Sequence, residues 1–163
     1  MPNKQTNIVI LLVIVAIAIF VVFNFFNLPS LSGSAPGAVG PAKLLNEISQ
    51  TGSISALQVY DTTEGTGDPV VVGDTLTVHY TGVLPDGTVF DSSRTHGEPF
   101  TFTIGDGYVI QGWEQGLLGM RVGGQRLIAV PPSLGYGDRA VGNIPANSTL
   151  IFDVELLSRT SAQ

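Results

Sequence analysis

Two stretches of the chain alternate apolar and polar residues, as a β-strand with one buried face does. In DTLTVHYTGVL, Leu76, Val78 and Tyr80 share one face. In TLIFDVELL, the same alternation puts Phe152 on the face that the two strands bury. The residues of LPDGTVF between them include a Pro-Asp-Gly turn, which predicts that the first strand returns as a hairpin.

Helical spacing is confined to VIQGWEQGLLGM in the part of the chain that carries these strands, and its glycines keep the predicted helix short. The chain has no internal repeat and no strand-helix-strand alternation of the kind that builds a parallel sheet. We therefore expect an α+β fold, with one antiparallel sheet folded over one short helix.

The N-terminal part follows a different pattern. Residues 8–23, IVILLVIVAIAIFVVF, contain no polar side chain. With a rise of about 1.5 Å per residue, such a run with its apolar flank can cross a hydrocarbon layer of roughly 30 Å. We interpret it as an uncleaved, single-pass transmembrane helix. A signal peptide removed after secretion is the alternative, and an apolar core helix is a third interpretation.

The positive charges suggest an orientation for this helix. Lys4 precedes the apolar run, and no further cation occurs until Lys43. By the positive-inside rule, the C-terminal part would lie outside the cytoplasm. We divide the chain into the anchor or signal segment (1–27), a flexible Ser-, Gly- and Pro-rich linker (28–53) and a folded domain (54–163).

Composition excludes several kinds of site. The net charge of −6 would repel phosphate backbones, so we do not expect nucleic-acid binding. The absence of cysteine rules out disulfides and thiolate metal sites. The two histidines lie on separate predicted elements without ligand spacing, so we expect no metal and no cofactor.

The stretch TVFDSSRTHGEPF contains Asp91, Ser92, Ser93 and His96, which are the residue types of a hydrolytic triad. They follow one another along a strand end, where neighbouring side chains point in opposite directions. No nucleophile elbow occurs in the chain. We interpret the serines as turn or capping residues and His96 as a solvated loop residue. The glycines of GDGYVIQGWEQG lack the context of a phosphate-binding loop.

Bulky apolar residues accumulate instead beside the predicted strand ends. A set of this size around one short helix indicates a concavity that could hold an apolar ligand, with few polar groups. Its members are Tyr80, Phe90, Phe100, Val109, Ile110, Trp113, Tyr136 and Phe152.

Four stretches resemble, in order, the signature segments of the FKBP-type peptidyl-prolyl isomerases: VHYTGVLPDGTVFDSSR, PFTFTIGDGYVIQGWEQGLLGM, VGGQRLIAVPPSLGYGDR and IPANSTLIFDVELL. The resemblance covers about residues 55–158. It implies a half-barrel antiparallel sheet wrapped around a helix at Trp113. It also implies a cofactor-free isomerase that acts on proline-containing or unfolded polypeptides and assists folding, and we expect a monomer.

The resemblance also implies roles for individual residues. Trp113 would form the floor of a proline pocket, and Asp91 would be its polar group. Tyr136 would offer a hydroxyl to the substrate carbonyl. The aromatic walls would be Tyr80, Phe90 and Phe152, and the residues that bind the flanking peptide would be Phe100, Val109, Ile110 and Ile144.

Some positions depart from the commoner family pattern. His96 stands where many members carry an arginine, and Tyr108 replaces a residue that is often charged. The segment DRAVGNIPANS is about one residue shorter than in some relatives, which leaves the substrate preference there open. The alternative function is a chaperone or proline-peptide binding module without significant catalysis.

Overall fold

The alternating segments pair into one antiparallel sheet. The computed structural model describes residues 44, 46, 48 and 50–162. The strands run in the spatial order β1-β5-β6-β2-β3, and β4 pairs with the first part of β2. Their bounds are β1 (Gln58–Thr63), β2 (Thr75–Val83), β3 (Val89–Ser92), β4 (Phe100–Thr103), β5 (Gln125–Val130) and β6 (Leu150–Thr160).

Short helical segments connect the strands. These are α1 (Ser93–His96), α2 (Gln111–Gly116) and a 3-10 turn (Pro132–Leu134). The predicted antiparallel sheet with a short helix is confirmed, as is the hairpin of β2 and β3. Helix α2 is shorter than the predicted stretch because the chain turns at Gly119, whose φ of 78° is left-handed. The single turn α1 has no counterpart in the sequence analysis.

The core lies between the inner face of the sheet and α2. Leu76, Val78, Val154 and Leu156 alternate along β2 and β6 and are completely buried, as their spacing predicts. Helix α2 approaches the sheet closely at Gly112, where an added Cβ would lie 2.4 Å from Val130 Cγ1. Glycine at this position therefore allows the short distance between α2 and the sheet.

The opposite face of the sheet is covered as well. The described residues of 44–51 are helical, and Leu44 and Ile48 pack on Ala129 and Ile151 with exposed fractions of 2% and 1%. Burial of each large side chain contributes about 1.5–3 kcal/mol. These two residues belong to the segment assigned to a flexible linker, and their helix is supported by the sheet. The domain boundaries themselves stay a prediction.

Two ion pairs join distant parts of the fold. The buried Arg126 guanidinium donates to both carboxylate oxygens of Asp61, over 2.6 and 3.0 Å, and to the Gly116 and Leu118 carbonyls, over 2.8 Å each. It thereby ties β1 and β5 to the end of α2. Arg159 of β6 donates to Asp74, which is 1% exposed.

Within the residues that the structure describes, there is no helix with the length and apolar character needed to span a membrane. The transmembrane helix predicted at residues 8–23 lies outside those residues.

Candidate active site

Trp113 is the centre of an aromatic cluster. It projects from α2 and is 4% exposed. Its ring centroid lies 5.1 Å from that of Tyr80 on β2 and 5.3 Å from that of Phe152 on β6. Both pairs are nearly perpendicular, an arrangement that the ring quadrupoles favour. The contacts place the indole between the helix and two central strands.

The cluster extends on both sides of Trp113. Phe90 on β3 meets Phe152 edge to face, with centroids 5.5 Å apart. On the other side, Phe100 contacts Trp113 at 6.3 Å and Tyr80 at 6.1 Å. The structure thus brings together the five predicted aromatic residues Tyr80, Phe90, Phe100, Trp113 and Phe152.

Phe102 is a sixth member that the sequence analysis missed. It stacks on Phe100 with centroids 5.3 Å apart and lies 5.5 Å from Trp113. The signal for it was the spacing of PFTFT, since residues two apart on a strand share a face. Phe102 is 6% exposed and Phe100 is 39% exposed. The buried ring of Phe102 therefore supports the ring of Phe100, which solvent reaches.

Gly82 was also missed. It lies beneath the pair of Phe90 and Phe152, and an added Cβ would lie 2.5 Å from Phe90 Cζ and 3.0 Å from Phe152 Cε1. The absence of a side chain here allows both rings to lie against β2.

One polar pair borders the aromatic cluster. The Tyr80 hydroxyl donates to Asp91 Oδ2 over 2.5 Å. Burial, reinforced by the hydrogen bond to the Asp91 carboxylate, raises the pKa of Tyr80 well above its usual value. The phenol therefore stays protonated and acts as a donor. The other carboxylate oxygen of Asp91 lies 3.6 Å from His96 Nε2, and the Asp91 side chain is 41% exposed.

Ser92 and Ser93 form hydrogen bonds with the backbone of β2. The Ser93 hydroxyl accepts from the Tyr80 amide over 2.9 Å and lies 3.0 Å from His79 Nδ1. The Ser92 hydroxyl donates to the Tyr80 carbonyl over 3.0 Å. Ser92 occupies the N-cap position of α1 but makes no side-chain capping bond. Both serines are buried and committed to backbone partners.

Val109 and Ile110 precede α2 and pack, half-buried, against the core that contains Trp113. The Ile110 carbonyl accepts from the amides of Trp113 and Glu114, over 2.9 and 3.2 Å. In the described part of the chain, no group accepts a hydrogen bond from the Ile110 amide. The Trp113 indole Nε1 is likewise buried without an acceptor among the described residues.

Tyr136 and Ile144 lie on the segment between β5 and β6. Tyr136 is 38% exposed, and its proximity adds to the rise in the pKa of Tyr80. Ile144 is 6% exposed and forms paired backbone hydrogen bonds with Val141, over 2.9 and 3.0 Å. Ile144 therefore belongs to the core, and its predicted contact with substrate stays a prediction.

The described residues include no group of three or more His, Cys, Asp or Glu side chains placed to hold a metal ion. What the site offers is an aromatic surface, one carboxylate oriented by a phenol, an unpaired backbone amide and a partly exposed tyrosine nearby. Such groups can bind and orient a substrate without exchanging protons or electrons with it.

Comparison with known proteins agrees with this geometry. A family model described as FKBP-type peptidyl-prolyl cis-trans isomerase matches residues 67–157. FK506-binding protein 1A of Neurospora crassa is 54% identical over 92 residues, which are 56% of this chain and 77% of that protein. The FK506-binding protein of Neisseria meningitidis is 49% identical over 105 residues, 64% of this chain and 96% of that protein.

A solved structure is also similar. The crystal structure of FkpA from Escherichia coli matches with a TM-score of 0.63 and 39% identity, over 75% of this chain and 58% of that one. The family match, over residues 67–157, includes the positions of all six residues of the aromatic cluster.

Proposed function

Because this chain belongs to the FKBP-type peptidyl-prolyl cis-trans isomerases, we propose that it rotates X-Pro bonds by holding them in a water-poor pocket formed by the aromatic cluster. Its reaction is the interconversion of the cis and trans forms of the peptide bond before proline. The observation that carries the proposal is the arrangement of aromatic rings around the buried Trp113.

The difficulty of the reaction lies in amide resonance. Resonance keeps the peptide bond planar, with a rotation barrier of about 18–20 kcal/mol. For X-Pro bonds both planar forms have similar energies, yet they exchange only over tens of seconds or longer. A catalyst therefore needs to favour the twisted amide over the planar one, and each 1.36 kcal/mol of preference gives about a tenfold higher rate.

An aromatic environment supplies this preference. In the twisted amide the conjugation is lost, and the carbonyl oxygen carries less negative charge than in the planar amide. A site that excludes water therefore disfavours the planar form more than the twisted one. Trp113 would be the floor beneath the proline ring, and Tyr80, Phe90 and Phe152 would be the walls.

Polar groups at the edge would orient the substrate. The Asp91 carboxylate, fixed by the Tyr80 hydroxyl, would act on the carbonyl that precedes the rotating bond. The Ile110 amide would donate to the extended peptide, and Tyr136 would donate to a substrate carbonyl. Val109, Phe100 and Ile144 would contact the flanking residues.

The mechanism requires no nucleophile. Ser92 and Ser93 are committed to the backbone of Tyr80. The Tyr80 phenol is held protonated, because burial and Asp91 both oppose its ionisation. The site is therefore suited to rotation about a bond and unsuited to cleavage of one.

Substrates would be proline-containing or unfolded polypeptides, and the physiological role would be to accelerate folding steps limited by proline isomerisation. We further propose that residues 1–27 hold the domain at a membrane as a single-pass anchor with the domain outside the cytoplasm, and that the chain acts as a monomer.

The test is exchange NMR on a peptide with one X-Pro bond, mixed with a small proportion of the purified full chain. We expect exchange cross-peaks between the cis and trans signals that grow with protein concentration. A protein that only binds, as a chaperone module would, shifts or broadens the peptide signals without accelerating exchange. That outcome would contradict the proposal.

A further inference from the structure

The stretch between β4 and α2 begins with glycines that have no part in the mechanism above. We call residues 105–110 the rim loop. Gly105 and Gly107 both adopt left-handed φ values, 100° and 72°, which glycine accommodates without a steric cost. Successive backbone amides in such conformations can converge on an anion.

Here the anion is a side chain of the same protein. The Gly105 amide donates to Glu114 Oε2 over 2.6 Å, and the Gly107 amide donates to Glu114 Oε1 over 3.0 Å. The two oxygens of one carboxylate thus hold two amides of the rim loop. Because these amides are engaged, the stretch is unavailable to an external phosphate.

The C-terminal end of the rim loop is fastened to the same helical turn. The Ile110 carbonyl accepts from the amides of Trp113 and Glu114. Residues 108–110 are therefore held between two attachments to the first turn of α2, the turn that carries Trp113. Within this short span lie Val109, the unpaired Ile110 amide and Tyr108, which is 84% exposed.

We propose that Glu114 is a positioning residue for the isomerase reaction. Its carboxylate keeps the rim loop in the geometry that contacts the peptide on either side of proline. Without it the N-terminal attachment is lost, and substrate binding has to order the loop at a cost in affinity. This inference rests on the proposed function, because it assumes that the rim loop contacts substrate.

The expected kinetic signature follows from where the loop acts. The rim loop contacts parts of the peptide that do not rotate, so it stabilises ground state and transition state alike. Loss of such uniform binding raises KM and leaves kcat unchanged. For Glu114→Ala we expect kcat/KM to fall about 5- to 10-fold through KM, with kcat changed less than about twofold.

The experiment compares three variants of the full chain with the wild type, using the kinetics of one prolyl peptide and the amide hydrogen exchange of Gly105 and Gly107. Glu114→Ala removes the attachment. Glu114→Gln keeps one acceptor oxygen and should give an intermediate KM. Glu64→Ala removes an exposed acid that directly follows β1 and is the control for charge.

The proposal predicts faster exchange at both glycine amides in Glu114→Ala, a raised KM, and wild-type behaviour in Glu64→Ala. Faster glycine exchange with an unchanged KM would overturn the positioning role, and unchanged exchange would overturn the attachment itself. A lower melting temperature with an unchanged KM would show that Glu114 is only structural.

An inactive wild type would contradict the proposed function instead. In that case the peptide Kd, measured from chemical-shift changes, replaces KM. A Kd weakened by Glu114→Ala would then support the positioning role, and an unchanged Kd would overturn it.

Discussion

The close approach of Gly112 in α2 to Val130 in β5 gives a quantitative prediction for Gly112→Ala. The added Cβ would lie 2.4, 2.6 and 3.0 Å from Val130 Cγ1, Cγ2 and Cβ. Favourable carbon contacts need about 3.5–4.0 Å. Rotation of the valine cannot relieve the overlap, because both methyl groups and Cβ are affected. Either α2 or β5 must move by about an ångström.

The size of the effect follows from opposing contributions. Overpacking of a core costs about 1–3 kcal/mol, and alanine regains about 1 kcal/mol of helix propensity relative to glycine. We expect Gly112→Ala to lower the free energy of unfolding by up to about 2 kcal/mol. Gly116→Ala should cost less, because an added Cβ there would lie 3.0 Å from Ile128 Cγ2 and 3.4 Å from Ile128 Cδ1 and Val59 Cγ1.

A double-mutant cycle with Val130→Ala isolates the contact. Val130→Ala alone leaves a small cavity and should cost about 1–3 kcal/mol. In the double variant the new methyl group occupies part of that cavity, so the combined loss should be about 1–2 kcal/mol smaller than the sum. Urea denaturation of all four proteins measures these free energies.

The same cycle reports on the site. Displacement of α2 moves Trp113, and a displacement of about 1 Å can cost about a hundredfold in rate. We expect kcat/KM to drop at least tenfold in Gly112→Ala and to recover largely in the double variant. A coupling energy within about 0.5 kcal/mol of zero, or full activity in Gly112→Ala, would refute the reasoning.

Three further predictions concern other parts of the molecule. The hydrogen bond from Arg159 holds the pKa of Asp74 below its usual value, so the pair stabilises the fold at neutral pH and this contribution is lost as the pH falls through that lowered pKa. Asp74→Asn should lower the free energy of unfolding by about 3–5 kcal/mol at pH 7, measured by urea denaturation. The difference from wild type should shrink below about pH 4, and a pH-independent difference would contradict this. Ile48→Ala should lower the unfolding free energy by about 2–4 kcal/mol in the same assay, and the exposed Gln50→Ala should change it by less than about 0.5 kcal/mol; equal effects would show that residues 44–51 do not pack on the sheet. Tyr80→Phe keeps the ring and should retain kcat/KM within about fivefold, while Tyr80→Ala should lose more than about tenfold; equal losses in the peptide exchange assay would assign the role to the hydroxyl.

Sequence patterns predicted the structural features that depend on neighbouring residues. The period-two alternation of β2 and β6 identified the buried face correctly, because side chains on a strand alternate strictly between its two sides. The turn residues between β2 and β3 predicted their hairpin, and the glycines of α2 predicted a short helix.

What the sequence did not reveal depends on contacts between distant residues. In the sequence, Leu44 and Ile48 resemble linker residues. In the structure, they are buried because they pack on Ala129 and Ile151. The glycines at 105 and 107 look like a weak phosphate motif, since nothing local indicates that Glu114 occupies it.

The sequence identified most residues of the aromatic cluster but not how their rings contact one another. Tyr80, Phe90 and Phe152 were identified from their segments, whereas Phe102 was not identified. The contacts among the rings depend on the pairing of β2 with β4 and with β6. No single segment of the sequence specifies this pairing.

The central claim is that the aromatic environment, without a nucleophile, lowers the barrier to rotation. The most direct measurement is the catalysed cis-trans exchange rate of one prolyl peptide with the wild type, Phe152→Leu and Ser92→Ala, each verified as folded. We predict a loss of at least about tenfold for Phe152→Leu, equivalent to 1.36 kcal/mol in the barrier, and a rate within about twofold of wild type for Ser92→Ala. An inactive Ser92→Ala beside a fully active Phe152→Leu would contradict the account.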